Sequence, residues 1–212
     1  MKYPEPGKVK TRLGREIGMT HAARLYEIFI RGTFHLLEKV DVGHIFAAVD
    51  PPERIDEFQG YIPGNVTIFP QTGDDLGKRM NHAIRYLCGV GAEKVAVLGT
   101  DSPTLPSDYL LRAFHLLDSD DLVLGPAEDG GYYLIALNEP IDALFQNISW
   151  SSAEVLKSTL QYAQQSGLSY SLLPAWYDID DLVTLKRAAE SKSGERILAY
   201  LMENPTILSK PK

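Results

Sequence analysis

Short apolar runs alternate with longer stretches of helical period along the whole chain, and this alternation restricts the fold more than any other feature. A strand buried on both faces reads as an unbroken apolar run, whereas a helix packed on one side repeats its apolar positions every three or four residues. Their alternation builds a largely parallel sheet with helices on its faces, so an α/β fold is expected. Ala22, Ala23, Leu25, Tyr26, Phe29, Ile30, Leu36 and Leu37 mark a long amphipathic helix, and His44 to Val49 reads as a strand ended by Asp50, Pro51 and Pro52. A short helix through Ile55 and Phe58 leads to a strand at Val66 to Phe69, followed by a helix at Leu76 to Leu87 and a strand at Lys94 to Leu98. A helix then starts at Pro106 and Ser107, strands follow at Leu122 to Leu124 and Tyr132 to Leu137, and Ser151 or Ser152 can cap a helix from Ala153 to about Gln165. Tyr170 to Leu173 is a short strand, Ala175 to Asp181 a second acidic strand end, and Leu182 to Ala189 and Ile197 to Met202 are helical.

The 212 residues suffice for one α/β domain, 1–212, and no linker, repeat or low-complexity segment divides them. Twenty-eight acidic against 21 basic residues give a net charge of −7, which argues against a broad nucleic-acid or anionic-membrane surface and makes any local cluster of cations specific. Cys88 is the only cysteine, so no internal disulfide can form, and its apolar helical surroundings suit a small buried hydrophobe. No run of about 18 apolar residues and no export signal is seen, so a cytoplasmic protein is expected.

One such cluster lies at the start. Pro4 and Pro6 fix φ, Gly7 permits a tight turn, and Lys8, Lys10 and Arg12 gather positive charge on one short segment. Arg12 can grip phosphate oxygens bidentately while Lys10 serves as a mobile point charge. Pro6, Gly7, Lys10, Thr11 and Arg12 are therefore candidate nucleotide contacts, against the alternative of a solvated basic terminus. The strand at Lys94 to Leu98 runs into Gly99, Thr100 and Asp101, the place where open α/β sheets bind ligands. Asp178, Asp180 and Asp181 form a second acidic group. A phosphate-bound Mg²⁺ takes one or two protein carboxylates, so two acidic strand ends can supply them; each aspartate can equally cap a helix or turn.

Three further segments have both readings. Asp129 with Gly130, Gly131 and Tyr132 can bind or deprotonate an acceptor hydroxyl, or form a plain hairpin turn. Asp75, Gly77 and Arg79 stand at a strand-to-helix junction where base, ribose or phosphate can meet free N–H groups, or where Asp74 or Asp75 caps the helix. Trp150 and Ser151 can wall an acceptor site or pack the core. The five histidines show no metal-ligand spacing, and neither a Gly-x-Ser-x-Gly elbow nor a Walker loop is present.

Taken together, the segments Pro4–Leu13, Ala22–Tyr26, Asp75–Met80, Gly99–Pro103, Gly125–Tyr133 and Trp150–Ser151 resemble bacterial GT-A-like proteins, the arsenosugar-biosynthesis-type glycosyltransferases, relatives of 2-phospho-L-lactate guanylyltransferase and the molybdenum-cofactor nucleotidyltransferases. The resemblance runs nearly end to end. It implies a nucleotide-diphospho-sugar transferase-like three-layer sandwich with a mostly parallel central sheet. It further implies Gly7, Lys10 and Arg12 at nucleotide phosphates, Asp101 as metal-binding acid and catalytic residue, Asp180 as second ligand, and Mg²⁺ or Mn²⁺ as cofactor. Asp129, also catalytic, would stand with Gly130, Gly131, Tyr132, Trp150 and Ser151 on the acceptor side. After Asp180 the relatives have Thr and, three residues on, Asp, where this chain has Asp181 and Thr184.

The activity so implied is metal-dependent glycosyl transfer from a nucleotide-sugar to a small acceptor. Nucleotidyl transfer from an NTP with pyrophosphate release, and nucleotide binding with little turnover, are the alternatives. Neither a nucleic-acid nor a membrane partner is expected, and a homo-oligomer is left open. Only Met1 and Lys2 precede Tyr3, so the first strand is expected to be truncated or missing. A gap in the sheet, a mobile or displaced loop, and poorly anchored Lys10 and Arg12 would follow.

Overall fold

The computed structural model describes residues 1–41 and 43–209. These gather into two compact units, each assembled from separate stretches of chain. The first comprises Met1–Pro70, Thr100–Pro106 and the described part of Asp178–Lys212; the second comprises Gln71–Gly99 and Ser107–Tyr177.

The first unit holds helices α1 (Thr11–Ile17) and α2 (Met19–Leu37), then parallel strands β1 (Phe46–Val49) and β2 (Thr67–Pro70), with a 3₁₀ segment at Pro52–Gly60 between them. Leu13 and Ile17, four residues apart and both buried, form the inward stripe of α1. The expected basic loop therefore ends at Lys10, and Thr11 and Arg12 already belong to a helix. Gly18, at φ 103, separates α1 from α2. On α2, Ala22, Leu25, Phe29 and Ile30 are buried together, as their period predicts. The chain start is tied to the end of β1: Lys2 bridges Asp50 in parallel, the Tyr3 amide donates to the Asp50 carbonyl at 2.8 Å, and the Asp50 amide donates to the Met1 carbonyl at 2.9 Å.

The second unit is a four-stranded sheet in the order β3 (Val95–Leu98), β5 (Tyr132–Leu137), β4 (Leu122–Pro126), β6 (Tyr170–Leu172). Its helices are α3 (Leu76–Gly89), α4 (Ser107–Leu116) and α5 (Val155–Gln165). Ile84, Leu122, Leu124, Leu137 and Leu144 form its dry centre, with Cys88 partly buried against them. A mostly parallel sheet is corrected here to a mixed one. β4 and β6 are parallel, but β5 runs antiparallel to both β3 and β4. Only Ala127 to Gly131 join β4 to β5, and a connection this short can make only an antiparallel hairpin.

Two further expectations change. The helix expected from Ala153 starts at Val155, because Ser152 turns its hydroxyl back to the Ser149 carbonyl and no side chain caps the helix. No strand forms at Ala175 to Asp181. Pro174 cannot donate to a ladder beyond β6, and Trp176 makes an isolated bridge with Ala127, its amide donating to the Pro126 carbonyl at 3.0 Å and its carbonyl accepting from the Glu128 amide at 2.9 Å. The first unit is completed by α6 (Leu182–Ala189), α7 (Glu195–Glu203) and α8 (Thr206–Ser209). No helix among the described residues is long and apolar enough to cross a membrane.

The β4–β5 turn is closed against the entry to α5. Gly130 has φ 92, and a Cβ there would lie 2.2 Å from the Ala153 carbonyl oxygen, an atom of the backbone that cannot rotate away. Gly130→Ala is therefore expected to destabilise the protein by about 1–3 kcal/mol in urea unfolding. Gly89→Ala, with open space around the new methyl, should leave stability unchanged or raise it by up to about 1 kcal/mol. Equal effects of the two substitutions would contradict this packing.

Candidate active site

Lys10 lies at the N-cap of α1 in the left-handed region, φ 43 and ψ 43, which an ordinary residue adopts only where its surroundings hold it. Its side chain holds it there. The ammonium group donates to Asp101 Oδ1 at 2.7 Å and to Asp180 Oδ1 at 2.8 Å, and it sits 5.9 Å from the centre of the buried Phe29 ring. Only 4% of the Lys10 side chain is exposed, against 43% and 46% for the two aspartates. Burial alone pulls the Lys10 pKa down, but the two carboxylates more than reverse this and hold it above the ordinary lysine value. The expectation of a poorly anchored Lys10 is thus corrected: it is the best-held cation of the loop.

A backbone bond brings the two acidic segments together. The Ile179 amide donates to the Asp101 carbonyl at 2.9 Å, which sets Asp178 and Asp180 on either side of that contact. The Asp178 carboxylate is pushed up to about 6, chiefly by burial and further by the charges of Asp101 and Asp180; the Ser102 hydroxyl, donating at 2.6 Å, and Lys10 oppose this. Tyr26 braces the approach from α2. Its hydroxyl is 2.9 Å from the Thr100 hydroxyl and accepts from the Lys2 amide at 3.2 Å, and burial raises its pKa. Nothing in the spacing of the sequence pointed to the bracing by Tyr26, Thr100 and Ser102, although all three fall within the segments that carry the family resemblance.

The other candidates of this unit are more exposed. Pro6 and Gly7 form a solvent-facing turn in which the Lys8 amide donates to the Glu5 carbonyl at 3.0 Å, and Thr11 is exposed. Arg12 is 74% exposed, and its guanidinium is 3.6 Å from Asp181, an ion pair too long and too wet to hold it firmly. Asp181 has a structural task. It caps α6 by accepting from the Thr184 amide at 2.8 Å, while the Thr184 hydroxyl accepts from the Asp181 amide at 3.2 Å, a reciprocal capping box. With Asp181 engaged at the helix start, it is the neighbouring Asp180 that contacts Lys10.

In the second unit, Asp75 caps α3 by accepting from the Lys78 amide at 2.7 Å. Gly77 lies against Trp150, whose indole would be 2.3 Å from a Cβ at residue 77, so the glycine serves a close aromatic contact. Trp150 stacks on Phe145 and meets Tyr132 edge-on. Arg79 donates to the Gly73 carbonyl at 2.9 Å and to Gln71 Oε1 at 3.2 Å. Asp129 accepts from the Gly131 amide at 3.0 Å inside the hairpin turn, and Ser151, at φ 66, is exposed. Both hairpin and capping readings therefore have their hydrogen bonds here.

The coupling of Lys10 to its carboxylates can be measured directly. Lys10→Met leaves two half-exposed carboxylates without their cation and should cost about 1–3 kcal/mol in urea unfolding, below the range for a fully buried pair because water reaches both acids. Asp101→Asn should cost less in a Lys10→Met background than in the parent protein, with an interaction energy of at least about 0.5 kcal/mol. Strict additivity would mean that the contact contributes nothing to stability.

Comparison with known proteins agrees with this architecture. The family described as "Uncharacterized protein conserved in bacteria (DUF2064)" matches residues 33–152. The crystal structure of a candidate nucleotide-diphospho-sugar transferase from Desulfovibrio desulfuricans G20 is 33% identical, with a TM-score of 0.88 over 98% of this chain and 94% of that one. A 4-diphosphocytidyl-2C-methyl-D-erythritol synthase from Anaerococcus prevotii DSM 20548 is 10% identical, with a TM-score of 0.57 over 80% of this chain and 86% of that one. A CMP:2-keto-3-deoxy-manno-octonic acid synthetase complexed with CTP is 12% identical, with a TM-score of 0.53 over 75% and 85%. At these identities the last two establish the fold alone. No curated protein matches the chain. The protein has the α/β fold of nucleotide-diphospho-sugar transferase structures and belongs to the DUF2064 family.

Proposed function

We propose that the protein is a nucleotide-dependent transferase that passes a glycosyl group from a nucleotide-sugar to a small acceptor and releases a nucleoside diphosphate. The observation that carries this reading is the meeting of Lys10 with Asp101 and Asp180, three charged groups from three distant stretches of sequence gathered at one point. Structural neighbours named as a nucleotide-diphospho-sugar transferase, a 4-diphosphocytidyl-2C-methyl-D-erythritol synthase and a CMP:2-keto-3-deoxy-manno-octonic acid synthetase complexed with CTP support a reaction at a nucleotide.

In this reading Arg12, exposed and loosely paired, takes the phosphates first, because its planar fork can engage two oxygens and little is lost in freeing it. Lys10 adds the second positive charge. Asp129 would accept the proton of the acceptor hydroxyl as that oxygen bonds to the sugar and the bond to the diphosphate breaks. Gly130, Gly131, Tyr132, Trp150 and Ser151 would hold the acceptor, and Asp75, Gly77 and Arg79 the nucleotide.

Asp101 and Asp180 suit a divalent cation in kind and number, since Mg²⁺ uses one or two carboxylates and fills its remaining positions with water and phosphate oxygens. Their Oδ1 atoms, however, are already engaged by Lys10, and no group of three or more metal-ligating side chains occurs among the described residues. The two acids would hold Mg²⁺ or Mn²⁺, and such an ion, when bound, offsets the charge of the departing phosphate.

Nucleotidyl transfer, with an acceptor phosphate attacking an NTP, is the second reading, favoured by the fold shared with the two synthases. A panel of NTPs and nucleotide-sugars with Mg²⁺ or Mn²⁺ and candidate acceptors separates the two. Release of nucleoside diphosphate is the expected result, and pyrophosphate release would replace it with nucleotidyl transfer. Thermal stabilisation by nucleotides without either product would identify a binding protein. Asp101→Asn should abolish metal-assisted nucleotide binding while the fold persists, and unchanged binding by this variant would remove Asp101 from the site.

A further inference from the structure

We propose that Lys10 is a tethered counter-ion of the Asp101–Asp180 pair, a built-in occupant that keeps divalent cations out until nucleotide phosphates draw its ammonium away. The inference rests on the transferase reading for the divalent cation at the two acids and for the identity of the ligand that releases Lys10. Occupancy of the pair by Lys10 is a matter of geometry: one ammonium nitrogen lies 2.7 and 2.8 Å from an oxygen of each acid.

Three observations support the exchange. Lys10 is almost wholly buried while both aspartates are nearly half exposed, so a small ion reaches the carboxylates from solvent more readily than a phosphate reaches Lys10 in this arrangement. A divalent cation on both carboxylates would stand within a few ångströms of a buried positive charge, and like charges repel strongly where water is scarce. Finally, Lys10 is held in left-handed backbone geometry at the first turn of α1, next to a turn where Gly7 has φ 80 and nothing lies within 4 Å of the position of a Cβ. That arrangement persists only while the side chain is anchored. The four-carbon stem lets the ammonium follow an incoming phosphate, a new partner of comparable strength. The consequence is coupled binding: metal weakly alone, metal and nucleotide tightly together, each raising the affinity for the other by the same factor.

The test is a titration of Mn²⁺ alone, without nucleotide, followed by the electron paramagnetic resonance signal of the free ion. Lys10→Met is expected to bind Mn²⁺ roughly tenfold or more tightly than the parent protein. Lys10→Gln, which keeps length and a hydrogen-bond donor without the charge, should show the same gain and serves if Lys10→Met fails to fold. Adding Asp101→Asn to either variant should erase the gain. Equal Mn²⁺ affinity in the parent and both Lys10 variants, or a gain that survives Asp101→Asn, would overturn the proposal. Turnover of a nucleotide-sugar by the parent protein alongside unchanged Mn²⁺ affinity would overturn the counter-ion role and leave the transferase reading standing. A Lys10-dependent Mn²⁺ affinity in a protein that binds no nucleotide would do the reverse.

Discussion

The contact of the Lys10 ammonium with Asp101 and Asp180 is the interaction on which the first unit is organised. That unit is built from three stretches of chain separated by long excursions, and Lys10, Asp101 and Asp180 come one from each. Hydrophobic burial compacts such a unit without choosing a register, because it is non-directional. A buried ammonium between two carboxylates is directional, and leaving that ammonium unpaired carries the cost of an uncompensated buried charge. The backbone bond from Ile179 to Asp101 and the hydroxyl contact of Tyr26 with Thr100 add fixed directions around it.

This contact also explains why a chain of net charge −7 keeps a buried lysine. Asp101, Asp178 and Asp180 crowd into a small volume, where burial and mutual repulsion already push Asp178 up to about 6. One ammonium offsets part of that repulsion. Its nitrogen stands between an oxygen of Asp101 and one of Asp180, so in the proposed exchange a cation can take both acids only after Lys10 has moved to a phosphate. In that proposal the charges that stabilise the free protein are also the ones a ligand would rearrange.

Much of the fold was legible because the signals that make elements are local. The apolar period of α2, the run of β5 and the limits of α6 follow from neighbouring residues alone. The direction of β5 has an equally local cause: the short Gly-Gly connection makes the hairpin that is one of its two sequence readings, whereas the overall alternation of helix and strand suggests a mostly parallel sheet. The separate helix α1 was missed because prolines, glycine and cations dominate the reading of the first ten residues, while the stripe that makes it helical is only Leu13 and Ile17.

The candidate site was legible in its members and not in their pairing. Residue chemistry marks Lys10, Asp101 and the group Asp178, Asp180 and Asp181, and the family resemblance singles out Asp180, yet Lys10 and Asp180 lie 170 residues apart and no local pattern encodes that they touch. Asp181 shows the opposite case, since Leu182 and Thr184 beside it announce a helix cap and the structure contains one. Two adjacent aspartates thus have different fates for a geometric reason. At the N-cap, Asp181 turns its carboxylate back to the amide of Thr184, and Asp180, one residue earlier in the chain, is left to meet Lys10. A cap that fixes the start of α6 therefore also fixes the position of the acid before it, so the local sequence around Asp181 contributes to the long-range contact that spacing alone could not reveal.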